Sequence, residues 1–131
     1  MTTLAPGLTA SVELVVGESD LAMAFASGAV AVLATPRLIG LLEEAAFEAV
    51  QPALAEEQTT VGIHVDVRHL AATPPGMRVT ASAELIEVND RVLRFRVQAH
   101  DSQELVMEGT HDRAIVKRAR FLERVAQKAK A

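Results

Sequence analysis

Apolar and polar residues alternate in five stretches of the chain, with the two-residue period that is typical of half-buried β-strands. The stretches are residues 7–16, 61–69, 77–88, 92–100 and 105–116. Short turns join each adjacent pair from the third stretch onward, which predicts an antiparallel sheet. The alternation of the last stretch is disturbed near Gly109, and this predicts a β-bulge at that position.

Three other segments have a helical pattern. Residues 18–27 predict a short helix, residues 34–50 a long and almost wholly apolar one, and residues 117–130 a basic amphipathic one. In the long helix, Thr35 is expected to be the N-cap and Pro36 the first helical residue. The order of elements therefore predicts a single α+β domain over residues 1–131, in which an antiparallel sheet is covered by one apolar helix.

Glu43 departs from the pattern of the long helix. Helical phase places it between Ile39, Phe47 and Val50, inside the apolar arc rather than on the polar face. A buried carboxylate is costly unless it is hydrogen-bonded, and burial raises its pKa. The helix alone leaves open a structural glutamate, which either has a partner or reaches water through a roll of the helix, and a catalytic group tuned by its surroundings.

His69 ends the second strand stretch. Its odd position continues the apolar face of Val61, Ile63, Val65 and Val67, so unless a bulge intervenes it faces the same core as Glu43. Thr35 lies at the start of the long helix, where free N–H groups suit a developing oxyanion. Together these groups have the composition of a site for acyl transfer. Singly, Thr35 is also explained as an N-cap and His69 as a hydrogen-bonded strand-end histidine.

Composition narrows the classes of function. The absence of cysteine excludes disulfides, thiol catalysis and thiolate metal sites. The four histidines, at 64, 69, 100 and 111, have no paired ligand spacing, so no metal site is expected. No stretch is long and apolar enough to span a membrane, and the N-terminus does not resemble a signal peptide, so a cytoplasmic location is expected.

Charge is distributed unevenly along the chain. Residues 1–116 contain 7 Lys and Arg against 16 Asp and Glu, a net charge of −9, whereas residues 117–131 contain 6 against 1, a net charge of +5. The acidic body argues against nucleic acid as a partner, because nucleic-acid binding requires a basic surface.

The whole arrangement resembles the hotdog fold, and specifically the fluoroacetyl-CoA thioesterase-like family. The motifs that carry the resemblance are residues 34–35 with 40–43, His69 with 71–76, residues 99–101 and residues 109–114. The resemblance implies hydrolysis of an acyl-CoA thioester, without a cofactor, by a catalytic set of Thr35, Glu43 and His69. It also implies substrate contacts for Gly62 and Arg113.

The resemblance further implies a homodimer whose active sites are shared across the interface. It leaves open whether Glu43 acts as a nucleophile or as the base that activates water. Because coenzyme A carries phosphates, cations are expected at the pocket mouth, with Arg113 as the first candidate. Arg37 or the basic helix, through Arg118, Arg120 and Arg124, could supplement it.

Two departures from the family pattern change the expected substrate. Residues 26–33, just before Thr35, contain none of the aromatic side chains of fluoroacetate-selective relatives, so a more general thioesterase for small acyl groups is expected. Pro36 directly after Thr35 stiffens the start of the helix. The competing functions are an acyl-CoA hydratase or dehydratase, a non-catalytic acyl-CoA binding module and a purely structural subunit.

Overall fold

A computed structural model describes residues 2–130 of the 131-residue chain. The strands are β1 (Thr9–Val15), β2 (Gln58–His69), β3 (Arg78–Asn89), β4 (Val92–Asp101) and β5 (Leu105–Lys117). The helices are α1 (Thr35–Val50) and α2 (Arg118–Ala129). The predicted short helix over 18–27 is observed as two separate 3₁₀ turns, Glu18–Asp20 and Ala22–Phe25.

The five strands form one antiparallel sheet in the order β1-β3-β4-β5-β2, and α1 packs mainly on β1 and β3. The predicted α+β class and hotdog architecture are confirmed. The alternation of β4 is also confirmed, because its inward residues are fully buried and their neighbours are exposed. These residues are Leu93, Phe95, Val97 and Ala99.

The edge strand β2 differs from the prediction. A β-bulge between Gly62 and His64 interrupts its register with β5, so the simple alternation does not hold along the strand. Ile63 and Val65, which were expected to face the core, are 53% and 39% exposed. These side chains are exposed because β2 lies at the edge of the sheet, whereas α1 covers the opposite half.

The bulge predicted at Gly109 is wrong. Pairing of β5 with both neighbours runs without a break through this residue, and the irregularity lies opposite Ala99 and His100, where Val106 is the extra residue. Glycine is required at position 109 for another reason. A Cβ atom there would collide with the backbone of Asp66 on β2, so the two strands approach each other too closely for a side chain.

The basic helix α2 follows β5 without a loop. None of its residues is buried, and its apolar side chains Phe121, Leu122 and Val125 remain exposed. Between residues 2 and 130, neither helix combines the length and the apolar character needed to cross a lipid bilayer.

Candidate active site

The start of α1 joins the end of β2 through two side chains. The N-cap is Ala34 rather than Thr35, which is the first helical residue, and Pro36 takes the second position. The expected capping role of Thr35 is therefore wrong, because its hydroxyl instead shares a hydrogen bond of 2.7 Å with Nδ1 of His69. No side chain caps the helix, so its N-terminal N–H groups and partial positive charge remain available to a ligand.

His69 is held as a neutral imidazole, and one of its two ring nitrogens has no hydrogen-bond partner among the described residues. Burial lowers the pKa of His69 below its ordinary value of 6.5, and the backbone of Ala71 opposes the shift. Its Nε2 atom is buried and makes no hydrogen bond to any part of the chain from residue 2 to 130. A buried polar atom without a partner is unusual and calls for a specific explanation. A substrate oxygen or sulfur at this position would provide one.

An open pocket of about 470 Å³ adjoins this pair. Thr35 and His69 form one side of it, and residues 70–72 and the segment before α1 form the rest. The segment contributes only small or aliphatic side chains, namely Ser27, Gly28, Ala29, Val30, Val32 and Leu33. Leu33, the last of these residues, is held in place because its N–H donates to the carbonyl of Thr73 at 2.9 Å. Residues 27–33 thus form a wall of the pocket.

Glu43 lies two turns further along α1, at the border of the buried face rather than inside it. The side chain is half-buried and its carboxylate rests against β2 at Gly62, where an added Cβ would lie 2.9 Å from Oε2. Its helical neighbour Phe47 is partly exposed. The half of β2 beyond this point has no covering element, which explains why the predicted burial of Glu43 is incomplete within one chain.

Arg113 is buried beside Glu43 and is firmly held there. Its Nε donates to Oγ1 of Thr60 at 2.8 Å, and its Nη2 donates to the Thr60 carbonyl at 3.0 Å. The guanidinium carbon also lies 5.9 Å from the centre of the Phe47 ring, within cation–π range. The expected place of Arg113 at the pocket mouth is therefore wrong, since it is only 7% exposed and its guanidinium contacts Thr60 and His111.

His111 completes this network and was not singled out from the sequence. Its Nδ1 lies 2.8 Å from the His64 carbonyl, which can only accept, so Nδ1 carries the proton. Its Nε2 lies 3.1 Å from Nη1 of Arg113, which can only donate. These two contacts fix a neutral tautomer, and burial correspondingly lowers the pKa of His111. The available signal was parity, because 111 and 113 share a face of β5.

The structure brings the predicted residues together as two groups rather than one. Thr35 contacts His69, whereas Glu43, Gly62 and Arg113 lie together elsewhere. Eight residues of helix separate Thr35 from Glu43, about 12 Å. Over residues 2–130, no hydrogen bond links Glu43 to either member of the first group.

Comparison with known proteins assigns the family. A profile described as FlK, fluoroacetyl-CoA-specific thioesterase, matches residues 16–119. The chain belongs to this family. A fluoroacetyl-CoA thioesterase of Streptantibioticus cattleyicolor is 42% identical over 100 residues, which cover 76% of this chain and 72% of that protein.

Two solved structures share the fold over nearly their whole length. A mutant of FlK in complex with acetyl-CoA is 33% identical and has a TM-score of 0.90, with coverage of 95% of this chain and 98% of the FlK chain. A thioesterase superfamily member from Thermus thermophilus is 26% identical with a TM-score of 0.88, and the alignment covers 99% of this chain and 96% of that one.

Gly62 provides a local test of the Glu43 group. We expect Gly62→Ala to lower kcat by about tenfold or more, because the new methyl group would press on the carboxylate at 2.9 Å and on the His111 ring at 3.2 Å. The backbone of Gly62 does not have a positive φ, so the substitution introduces no backbone strain. The measurement is kcat for acyl-CoA hydrolysis together with the melting temperature.

The matched control is Gly40→Ala, on the same helix as Glu43. A Cβ at Gly40 meets nothing within 4 Å, and alanine favours a helix over glycine by about 0.5–1 kcal/mol. This variant should melt slightly higher and keep its activity. Full activity in Gly62→Ala would show that the position of the Glu43 carboxylate does not matter.

Proposed function

We propose that the protein hydrolyses small acyl-CoA thioesters to the free acid and coenzyme A. The observation that carries the proposal is the unpartnered Nε2 of His69, buried beside Thr35 at an uncapped helix N-terminus and next to an open pocket. A thioester carbonyl placed there would find hydrogen-bond donors and a partial positive charge of about half a unit. Membership of the thioesterase family supports the same reaction.

His69 and Thr35 act on the thioester itself. With the Thr35 hydroxyl donating to Nδ1, the proton of the neutral ring lies on Nε2, which can donate to the carbonyl oxygen or to the departing sulfur. The lowered pKa keeps the ring in this neutral form at pH 7. The free N–H groups at the start of α1 share the developing negative charge.

Glu43 supplies the attack on the carbonyl carbon. Either its carboxylate adds directly, so that the C–S bond breaks and an anhydride forms for water to cleave, or it removes a proton from the water that adds. Arg113 and Gly62 contribute indirectly, since the guanidinium lies in the same cluster as the carboxylate and the missing side chain of Gly62 leaves room for it. Single turnover in oxygen-18 water distinguishes the routes, because only the anhydride route transfers label to Glu43.

The residues that line the pocket favour a small acyl group and do not select one particular substituent. Residues 27–33 carry no aromatic ring, and the last aromatic residue before them, Phe25, is 42% exposed. A wall of this composition offers general apolar contact and no ring edge directed at one substituent. We therefore assign a range of short acyl groups rather than fluoroacetyl alone.

A thiol-release assay over acetyl-, fluoroacetyl-, branched and aryl-CoA tests the function. We expect free thiol from the short acyl members of the panel. Formation of a 3-hydroxyacyl product from enoyl-CoA without thiol release would instead identify a hydratase. Tight binding of every thioester with no release would identify a binding module.

A second copy of the chain is part of the proposal. The free edge of β2 exposes Ile63 and Val65 on a strand with an unpaired backbone, and such an edge favours pairing with another strand. Antiparallel pairing of two β2 edges about a twofold axis brings the His69 end of one strand toward the Gly62 end of the other. The Thr35–His69 group of one copy would then face the Glu43 group of its partner.

Mixed dimers test the shared site directly. We expect Glu43→Gln and His69→Ala, each nearly inactive alone, to recover about a quarter of the wild-type activity when unfolded together and refolded as an equal mixture. The reason is that half of the dimers are then mixed, and each mixed dimer has one site with both residues intact. The measurement is the specific activity of the mixture, with sedimentation to confirm dimers.

The control mixture combines Glu43→Gln with the double variant Glu43→Gln/His69→Ala, in which no site of any dimer is intact. It should remain inactive. Activity absent from the first mixture as well would place both groups of each site within one chain.

We also propose a cytoplasmic location, because acyl-CoA thioesters are highly charged and cross membranes poorly.

A further inference from the structure

Positive charge is concentrated in one segment that makes no ion pairs with the acidic body. Residues 117–131 have a net charge of +5 against −9 for the rest of the chain. In the described part of the chain, no carboxylate lies within 4 Å of a cation of this segment. Even Glu123, its one acidic residue, forms no such pair.

The other cations proposed from sequence as phosphate ligands are already occupied. Arg37 donates to Asp20 at 2.9 Å, an ion pair that ties the start of α1 to the first 3₁₀ turn. Arg113 is buried against Thr60 and His111. Of the cations that the sequence proposed as phosphate ligands, those without an ion pair among residues 2–130 therefore lie at the junction of β5 and α2.

These free cations surround a small cleft. It has a volume of about 90 Å³ and is lined by Arg91, Val116, Lys117, Arg120, Phe121 and Arg124. Two backbone hydrogen bonds assemble it. The Ile115 N–H donates to the Arg91 carbonyl at 2.8 Å, which brings the β3–β4 turn alongside, and the Arg118 N–H donates to the Glu57 carbonyl at 2.9 Å.

Four cations around one cleft repel each other and therefore favour an anion between them. Three of the four, Lys117, Arg120 and Arg124, come from the segment with no ion pairs, and Arg91 comes from a separate turn. A phosphate oxygen suits them, because arginine binds phosphate through paired N–H donors. Val116 and Phe121 complete the lining of the cleft with apolar side chains.

The cleft lies at a suitable distance from the catalytic groups. Arg113 and Lys117 lie on the same strand, four residues apart, which corresponds to about 13 Å. They also share a face of β5, the face on which Arg113 meets Glu43. The pantetheine arm that connects the thioester sulfur of coenzyme A to its phosphates has a backbone of about a dozen atoms. That backbone is as long as roughly four extended residues, about 13–14 Å.

We propose that this cleft binds the nucleotide phosphates of coenzyme A while the thioester lies between Glu43 and His69. The inference rests on the proposed function and specifies where the distant end of the substrate is held. Arg91, Lys117, Arg120 and Arg124 all line the cleft and supply the cations that would contact the phosphates. The binding energy from this cleft lowers KM and leaves the chemical step unchanged, because the phosphates do not take part in bond breaking.

The test compares two thioesters that differ only beyond the pantetheine arm. We expect the double variant Arg120→Ala/Arg124→Ala to raise KM for acetyl-CoA by about tenfold or more, at about fivefold for each partly exposed charge contact. The KM for acetyl-pantetheine, which lacks the phosphates, should stay the same, as should kcat for both. KM for acetyl-CoA should also rise with salt in the wild type and less steeply in the variant.

Arg118→Ala is the matched control, because Arg118 belongs to the same helix but does not line the cleft and is directed to the Glu56 carbonyl. It should leave both KM values as they are. An unchanged KM for acetyl-CoA in the double variant, or an equal rise for both thioesters, would overturn the proposal.

Failure of the proposed function gives a different result. If the wild type hydrolysed neither thioester, titration of coenzyme A by calorimetry would still test the cleft, since binding should weaken in the double variant and not in Arg118→Ala. Binding of acidic lipid vesicles that coenzyme A does not displace would assign the basic helix to a membrane surface and overturn the assignment made here.

Discussion

Replacement of Glu43 by glutamine should lower kcat for acyl-CoA hydrolysis on the order of a hundredfold or more, while the fold is kept. Glutamine has the same shape as the carboxylate but can neither attack the thioester nor take a proton from water. The half-buried position against Gly62 leaves room for the amide, and removal of a partly desolvated charge does not weaken folding. The measurements are steady-state thiol release and the melting temperature.

Glu44→Gln is the natural control for this experiment, since Glu44 is the next residue on the same helix and is exposed. It changes the net charge equally and should retain full activity. A Glu43→Gln variant as active as Glu44→Gln would remove the carboxylate from the reaction, and the hydrolase mechanism would then need another source of attack.

Replacement of His69 by alanine should also reduce kcat/KM on the order of a hundredfold or more, because the imidazole beside Thr35 that donates to the thioester in the proposed mechanism is lost. In the wild type, activity should fall on the acid side only below pH 6.5. The reason is that burial lowers the pKa of His69 from that value, so the neutral ring persists into mildly acidic solution. The measurement is the pH profile of kcat/KM.

The lowered pKa values of His69 and His111 also determine how the free energy of unfolding changes with pH. The folded chain favours neutral His69 and His111, whereas the unfolded chain protonates them near pH 6.5, so the free energy of unfolding should decrease as pH falls below that value. His100→Ala serves as control for both effects, because His100 is exposed on the outer face of β4. An acid limb at or above pH 6.5 would contradict a neutral, half-buried His69.

The central strands could be predicted from sequence because their physics is local. In β4, and in β3 as far as Leu85, one face meets α1 and the other meets water, so alternation in the sequence maps directly onto burial. In β2 the same alternation gave a wrong prediction of which side chains are buried. A bulge shifts its register, and its apolar side chains Ile63 and Val65 face solvent in the single chain. Periodicity identifies apolar positions but not the surface that covers them.

The site residues show the same limit. Sequence placed Thr35 and His69 near each other, and the structure joins them by a hydrogen bond, although the capping role assigned to Thr35 is wrong. Helical phase placed Glu43 with apolar neighbours but could not show that it lies at the border of the buried face. The role of His111 was not predicted, because it depends on a backbone carbonyl of another strand, and no spacing rule encodes such a contact.

The segment before α1 has a consequence for how this enzyme could change over time. Residues 27–31 are exposed and lie outside the sheet, while Leu33 at their end is anchored to the scaffold. Mutations there alter the width of the open pocket, which in the proposed function holds the acyl group, without disturbing the packed interior that supports Thr35 and His69. Selection can therefore retune which acids are released by exchanging side chains along one short loop, while the catalytic framework is inherited unchanged.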